Sequence, residues 1–218
     1  IEDSEGDLWY GTNNGISLQE SKTGKWHSYL STFENVQNSK NHIFTTLCEV
    51  SPGIIWAGGY FSGIYQIDKR TSKTTYFTPA LYAREDIRPD KYIRDIRKDS
   101  HGYIWTGGYY NLKRINVQTK DIRLYQGLHS VTAIIEKDDK SMWIGTATGL
   151  HLLDKESGKF ERIQLPVEST YIYSLYQTKK GSLYIGTSGS GVLIYDPQTK
   201  LFTHYYTGNC AMISNNIY

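Results

Sequence analysis

The chain has 218 residues, carries 24 Lys+Arg against 22 Asp+Glu, and is 39% hydrophobic. That near-neutral balance gives no electrostatic ground for nucleic-acid binding, which favours a clustered basic surface. No apolar run approaches the roughly 20 residues of a membrane-spanning helix, so direct membrane insertion is not expected. Tyr (19) and Gly (20) are plentiful while Met is 2, a composition of strands and tight turns. Two cysteines cannot build a disulfide framework, and Cys48 and Cys210 are expected as buried free thiols. The abrupt start at Ile1-Glu2-Asp3, with no charged and apolar leader, reads as a piece of a longer chain.

Five segments repeat along the chain. They are Leu8-Trp9-Tyr10-Gly11-Thr12, Ile55-Trp56-Ala57-Gly58-Gly59, Ile104-Trp105-Thr106-Gly107-Gly108, Met142-Trp143-Ile144-Gly145-Thr146 and Leu183-Tyr184-Ile185-Gly186-Thr187. The aromatic position recurs at intervals of 47, 49, 38 and 41 residues. A period near 44 belongs to four-stranded propeller blades and not to helical repeats of about 33 or 34 residues. The fold class is therefore all-β, a β-propeller of four-stranded antiparallel blades. The units run approximately 1–41, 42–91, 92–129, 130–170 and 171–214, with 215–218 opening a further blade. The last unit reads as strands over Tyr171–Gln177, Ser182–Thr187, Gly191–Asp196 and Leu201–Tyr206, each bounded by turn residues. No stretch sustains a helical period.

The recurrent aromatics, Trp9, Trp56, Trp105, Trp143 and Tyr184, fit the wedge between adjacent blades. Burying one ring removes about 150 to 250 Å² from water, worth roughly 4 to 6 kcal/mol before entropy is counted. The Gly two residues later lets the next blade approach closely. Turns such as Asp3-Ser4-Glu5-Gly6 and Asp99-Ser100-His101-Gly102 join the first and second strands. Turns such as Asp68-Lys69-Arg70-Thr71 and Asp154-Lys155-Glu156-Ser157-Gly158 join the third and fourth, and are expected as solvated outer hairpins.

The pattern from Asp3 to Ile16, Asp-x-x-Gly-x-Leu-Trp-x-Gly-Thr-x-x-Gly-Ile, resembles the two-component regulator propeller repeat. Asp139–Leu150 and Gly181–Val192 resemble it as well, while the units near Gly53 and Gly102 depart with Gly-Gly in place of Gly-Thr. The resemblance implies the periplasmic sensor region of a hybrid two-component receptor, an inner-membrane protein with histidine kinase and response regulator parts elsewhere. It also implies a non-enzymatic segment, a homodimer, an adjoining propeller domain, and an oligosaccharide from polysaccharide breakdown as the ligand. Five units would then be part of a seven-bladed propeller of about 308 residues; closure of five blades on themselves is the other reading.

Enzyme motifs are absent. There is no His-Glu-x-x-His, phosphate-binding Gly-rich loop, Gly-x-Ser-x-Gly or Cys-x-x-Cys. The six His are scattered across the units, no metal site is expected, and no cofactor is called for. A glycan-cleaving propeller would need converging acids, for which Asp95 is the one first-strand candidate. Binding has more support. The second-to-third loops Gly59-Tyr60-Phe61-Ser62-Gly63 and Gly108-Tyr109-Tyr110-Asn111 carry adjacent aromatics where the other units are small or polar. A long segment from Leu81 to Tyr92 adds Tyr82, Arg84, Arg88 and Tyr92, with Arg94 following. Tyr rings stack on apolar sugar faces, and Arg pairs with carboxylate or sulfate. Tyr60, Phe61, Tyr82, Arg84, Arg88, Tyr92, Arg94, Tyr109 and Tyr110 are thus the candidate rim for an oligosaccharide, an acidic one included. Tyr and Arg also enrich protein interfaces, so a scaffold contacting a partner protomer or adjoining propeller is the competing reading.

Overall fold

A computed structural model describes residues 1–30, 43–60, 62–77 and 91–218. Among them there is no helix, and nineteen strands form five antiparallel sheets. The first sheet has three strands, β1 (Leu8–Thr12), β2 (Gly15–Gln19) and β3 (Trp26–Tyr29). The other four sheets have four strands each, joined in sequence order. They are β4 (Ile43–Ser51), β5 (Ile54–Tyr60), β6 (Gly63–Asp68) and β7 (Lys73–Tyr76); then β8 (Ile93–Lys98), β9 (Ile104–Gly108), β10 (Leu112–Ile115) and β11 (Ile122–Tyr125). There follow β12 (Val131–Glu136), β13 (Ser141–Thr146), β14 (Gly149–Asp154) and β15 (Phe160–Ile163), and last β16 (Ile172–Gln177), β17 (Leu183–Thr187), β18 (Val192–Asp196) and β19 (Leu201–Tyr205). Each sheet is one period of the repeat, a blade of a β-propeller. The chain divides into two compact units, Ile1–Leu124 and Tyr125–Tyr218.

Trp9, Trp56, Trp105 and Trp143 are at most 1% exposed. In the first unit Trp9 packs with Ile16 and Leu18 of its own blade and with Phe44, Ile55 and Ala57 of the next. Trp56 packs the same way toward Ile93, Ile96, Ile104 and Ile115. In the second unit Trp143 packs with Ile172, Leu183, Ile185 and Leu193. Trp9, Trp56 and Trp143 therefore each seal the seam to the blade that follows. Tyr184 does not: it is 39% exposed and touches Tyr176, ring centroids 6.3 Å apart. It occupies the face that the next blade covers elsewhere, and among the described residues no complete sheet lies on it.

The glycine after each aromatic behaves as the seam requires. A Cβ on Gly58 would sit 2.5 Å from Ile93 Cγ2, one on Gly145 2.8 Å from Ile172 Cγ2, and one on Gly186 2.9 Å from Ile217 Cγ2. Ile217 thus stands against the fifth blade as Ile172 stands against the fourth.

The buried indole N–H groups need acceptors. Asp3 Oδ2 accepts from Trp9 Nε1 and Asp99 Oδ2 from Trp105 Nε1, both at 2.8 Å. Trp56 donates to Gln66 of its own blade and Trp143 to Gln177 of the following one. The third-to-fourth hairpins are largely exposed, as expected of solvated turns, but two of them turn one lysine inward. Lys155 is 5% exposed and pairs with Glu136. Lys69 reaches Asp3 at 2.8 Å and Glu5 and Asp7 at 2.6 Å, across the seam between the first two blades. The Lys69 stem crosses the rim of a seam and the Lys155 stem reaches the first strand of its own blade, so both ammonium groups meet carboxylates. Cys48 is buried, and desolvation pushes its thiol up to about 11. Cys210 is only half-buried, with its Sγ 3.2 Å from Tyr206 O, because it lies in a turn after the last strand and not in a sheet.

Candidate functional site

The first strand of every four-stranded blade begins in the same irregular way. In β4, β8, β12 and β16 the register to the second strand slips by one residue near its start. One residue is left over each time: Thr45, Arg94, Thr132 and Tyr173. A bulge of this kind re-aims a side chain and bends the strand. The residue before it is apolar and buried in every case, namely Phe44, Ile93, Val131 and Ile172. The core position repeats while the bulged position beside it changes chemistry.

In the third blade that position is Arg94. Its guanidinium lies over the Tyr60 ring, 5.4 Å from the centroid, a cation–π distance. Tyr60 meets Tyr92 edge-on at 6.5 Å, Tyr92 meets Tyr109 at 6.2 Å, and Tyr109 meets Tyr110 edge-on at 5.0 Å. The backbone supports the chain of rings, since Tyr109 N–H donates to Tyr92 O at 3.3 Å. Tyr109 is 56% and Tyr110 36% exposed, while Tyr60, Tyr92 and Arg94 are half-buried. Five of the nine sequence candidates are thus joined into one aromatic surface with a cation at its end. Phe61, Tyr82, Arg84 and Arg88 lie outside the described residues.

Asp95, the acid considered for hydrolysis, is 6% exposed. Arg97 Nε lies 3.0 Å from Oδ1 and 3.2 Å from Oδ2, and Thr46 Oγ1 donates to Oδ1 at 3.5 Å. Both carboxylate oxygens are engaged by the protein, in an arrangement that ties β4 to β8 through Thr46, which also accepts from Ile96 N–H at 3.0 Å. At the opposite ends of the strands, a cleft of about 600 Å³ is lined by Glu5, Glu20, His27, Tyr29, Lys69 and Arg70 among others. Its principal charges are matched internally, Lys69 with its three acids and His27 with Glu20 at 2.6 Å.

The bulges escaped the sequence reading because one extra residue in a six-residue strand leaves no mark on apolar periodicity. In the sequence Arg94 follows a Tyr/Arg-rich segment; its tie to Tyr60 depends on the slipped register.

Residues 166–189 match the family described as the two component regulator propeller. No curated protein sequence matches the chain. Among solved structures, the chain is similar to the extracellular domain of the hybrid two component system BT3049 from B. thetaiotaomicron, at 16% identity and a TM-score of 0.77 over 93% of this chain and 29% of that one. A second, the extracellular domain of the hybrid two component system BT4673 from the same organism, gives 20% identity and a TM-score of 0.68 over 100% of this chain and 34% of that one. Virginiamycin B lyase from Staphylococcus aureus gives 15% identity and a TM-score of 0.74 over 94% of this chain and 68% of that one. The chain spans about a third of the length of the two extracellular domains. At these identities the shared property is the fold: an all-β chain of propeller blades, one stretch of which carries the two component regulator propeller signature.

Proposed function

We propose that this chain is a ligand-sensing part of the extracytoplasmic, periplasmic region of a hybrid two-component receptor, and that its ligand is an oligosaccharide. The observation that carries the reading is the run of rings from Tyr60 through Tyr92 to Tyr109 and Tyr110, ending on Arg94. Core packing recurs from blade to blade, as the four buried Trp do, whereas this surface is drawn from residues of the second and third blades. Exposed Tyr rings offer stacking area to sugar faces, and the guanidinium offers paired donors to a uronate or sulfate. No turnover is assigned to this segment, because Asp95 is committed to Arg97 and Thr46.

A seven-bladed propeller is the closure we favour. The lyase that matches 94% of this chain with 68% of its own length has about 300 residues, the span of roughly seven 44-residue units. Calorimetry with tri-galacturonate and with neutral tetrasaccharides tests the binding reading. Tyr109→Ala and Arg94→Ala should weaken binding by about 10-fold each, a loss of roughly 1.4 kcal/mol. Unchanged sugar affinity with an altered sedimentation coefficient would favour the scaffold reading, in which the same rim holds a partner protomer or adjoining propeller.

A further inference from the structure

The fifth blade carries a second aromatic cluster, at the position in its first strand that corresponds to Tyr92 and Arg94 in the third. Tyr171 stands where Tyr92 stands, and its carbonyl accepts from Ser188 N–H at 2.9 Å as Tyr92's accepts from Tyr109. Tyr173 is the bulged residue, where the third blade has Arg94. Its ring lies 4.8 Å from Tyr171 and 4.6 Å from Tyr218. Tyr218 is 83% exposed, and the backbone leading to it is well held. Gly189 and Gly191 N–H groups donate to Asn215 O at 3.1 and 2.8 Å, and Ile217 N–H donates to Thr187 O at 3.0 Å. Ser188, whose backbone holds Tyr171, also has its Oγ 3.4 Å from Asn216 Oδ1.

Packing does not account for this cluster. The seam is already closed by Ile172, which is fully buried between Tyr171 and Tyr173. The fourth blade has Ser130 and Thr132 at the equivalent places, beside the buried Val131. We infer that Tyr171, Tyr173 and Tyr218 form a second sugar-stacking subsite, one that takes an uncharged ring of an oligosaccharide because a phenol replaces the guanidinium at the bulge. The inference rests on the oligosaccharide reading and adds a subsite of different chemistry. A neutral sugar presents an apolar face to the rings and its hydroxyls to Ser188 and Asn216, with no anion to be matched.

The test is calorimetry of the protein with cellotetraose, xylotetraose and mannotetraose beside tri-galacturonate. Tyr173→Ala and Tyr218→Ala should each weaken the neutral probe that binds by about 10-fold, with Tyr173→Phe retaining affinity. Melting curves separate lost binding from lost folding, and Tyr173→Phe keeps the ring while removing only the hydroxyl. If Tyr109→Ala weakens a sugar while both blade-five alanine variants bind it normally, this subsite is overturned and the sensor reading stands. If no sugar binds at all, both fall. If Tyr173→Ala alters self-association and leaves sugar affinity unchanged, the cluster is a protein contact and the inference fails.

Discussion

Asp3 and Asp99 each take up a buried indole N–H, and Asp3 also accepts backbone N–H groups of Glu5 and Asp7 at 3.0 and 2.9 Å. Asp99→Ala leaves Trp105 Nε1 without its acceptor in a fully buried setting, which should cost about 1 to 3 kcal/mol in urea unfolding. The cluster around Lys69 has a pH signature. Hydrogen bonds from Lys69 and from the Ser21 backbone bring Asp7 down to about 2 from 3.8. For Asp3, burial pushes upward, but Lys69, Trp9 and backbone donors outweigh it, and the net shift is downward. Groups depressed in the folded state add stability that is present above their ordinary value and lost as pH falls through the folded one. Stability at this seam should therefore be intact above about pH 4 and fall between about pH 4 and 2, read by Trp fluorescence against urea. Lys69→Met leaves Asp3 and Asp7 without their cation and should destabilise by about 3 kcal/mol.

At the scale of the element, β1, β5, β13 and β17 approach the segment that follows through Gly11, Gly58, Gly145 and Gly186, residues without a side chain. Gly145→Ala puts a methyl 2.8 Å from Ile172 Cγ2 and 3.4 Å from Ala133 Cβ, so it should lower stability by about 1 to 3 kcal/mol through overpacking. Gly102→Ala meets nothing within 4 Å but must hold a φ of +83°, and should cost only about 1 to 2 kcal/mol. Reversal of that order in thermal melts would mean the seam is looser than its glycines suggest. The expected strands of the fifth blade fall within a residue of those observed, because Gly181, Gly191 and Pro197 bound them chemically. The bulges were not legible, since they exist only as a relation between two paired strands.

The first blade, in the unit Ile1–Leu124, and the fifth, in the unit Tyr125–Tyr218, each carry exposed apolar residues on one sheet face. Leu8, Tyr10 and Trp26 are 38%, 40% and 56% exposed on one, and Tyr176, Tyr184 and Leu201 are 64%, 39% and 68% exposed in the other blade. Faces like these suit further blades of the same repeat. A longer form of the protein with two additional repeats should melt at higher temperature, and its Trp26 emission should shift to the blue. Failure of both would count against the seven-blade reading.

Periodicity, the aromatic–x–Gly signature and turn residues were enough to determine blades, because each is a local preference repeated five times. They also identified the seam aromatics, as a large ring at a fixed place in a twisted sheet has nowhere to go but the neighbouring blade. Tyr184 is the exception that shows the rule's dependence on a neighbour. The tertiary structure alone decided which polar groups meet. Lys69 reaches Asp3 across 66 residues, Thr46 reaches Asp95 across 49, and Arg94 comes to lie over Tyr60 through a slipped register. Contacts of that separation are set by how sheets stack and where a strand bulges, and neither leaves a local trace in the amino-acid pattern.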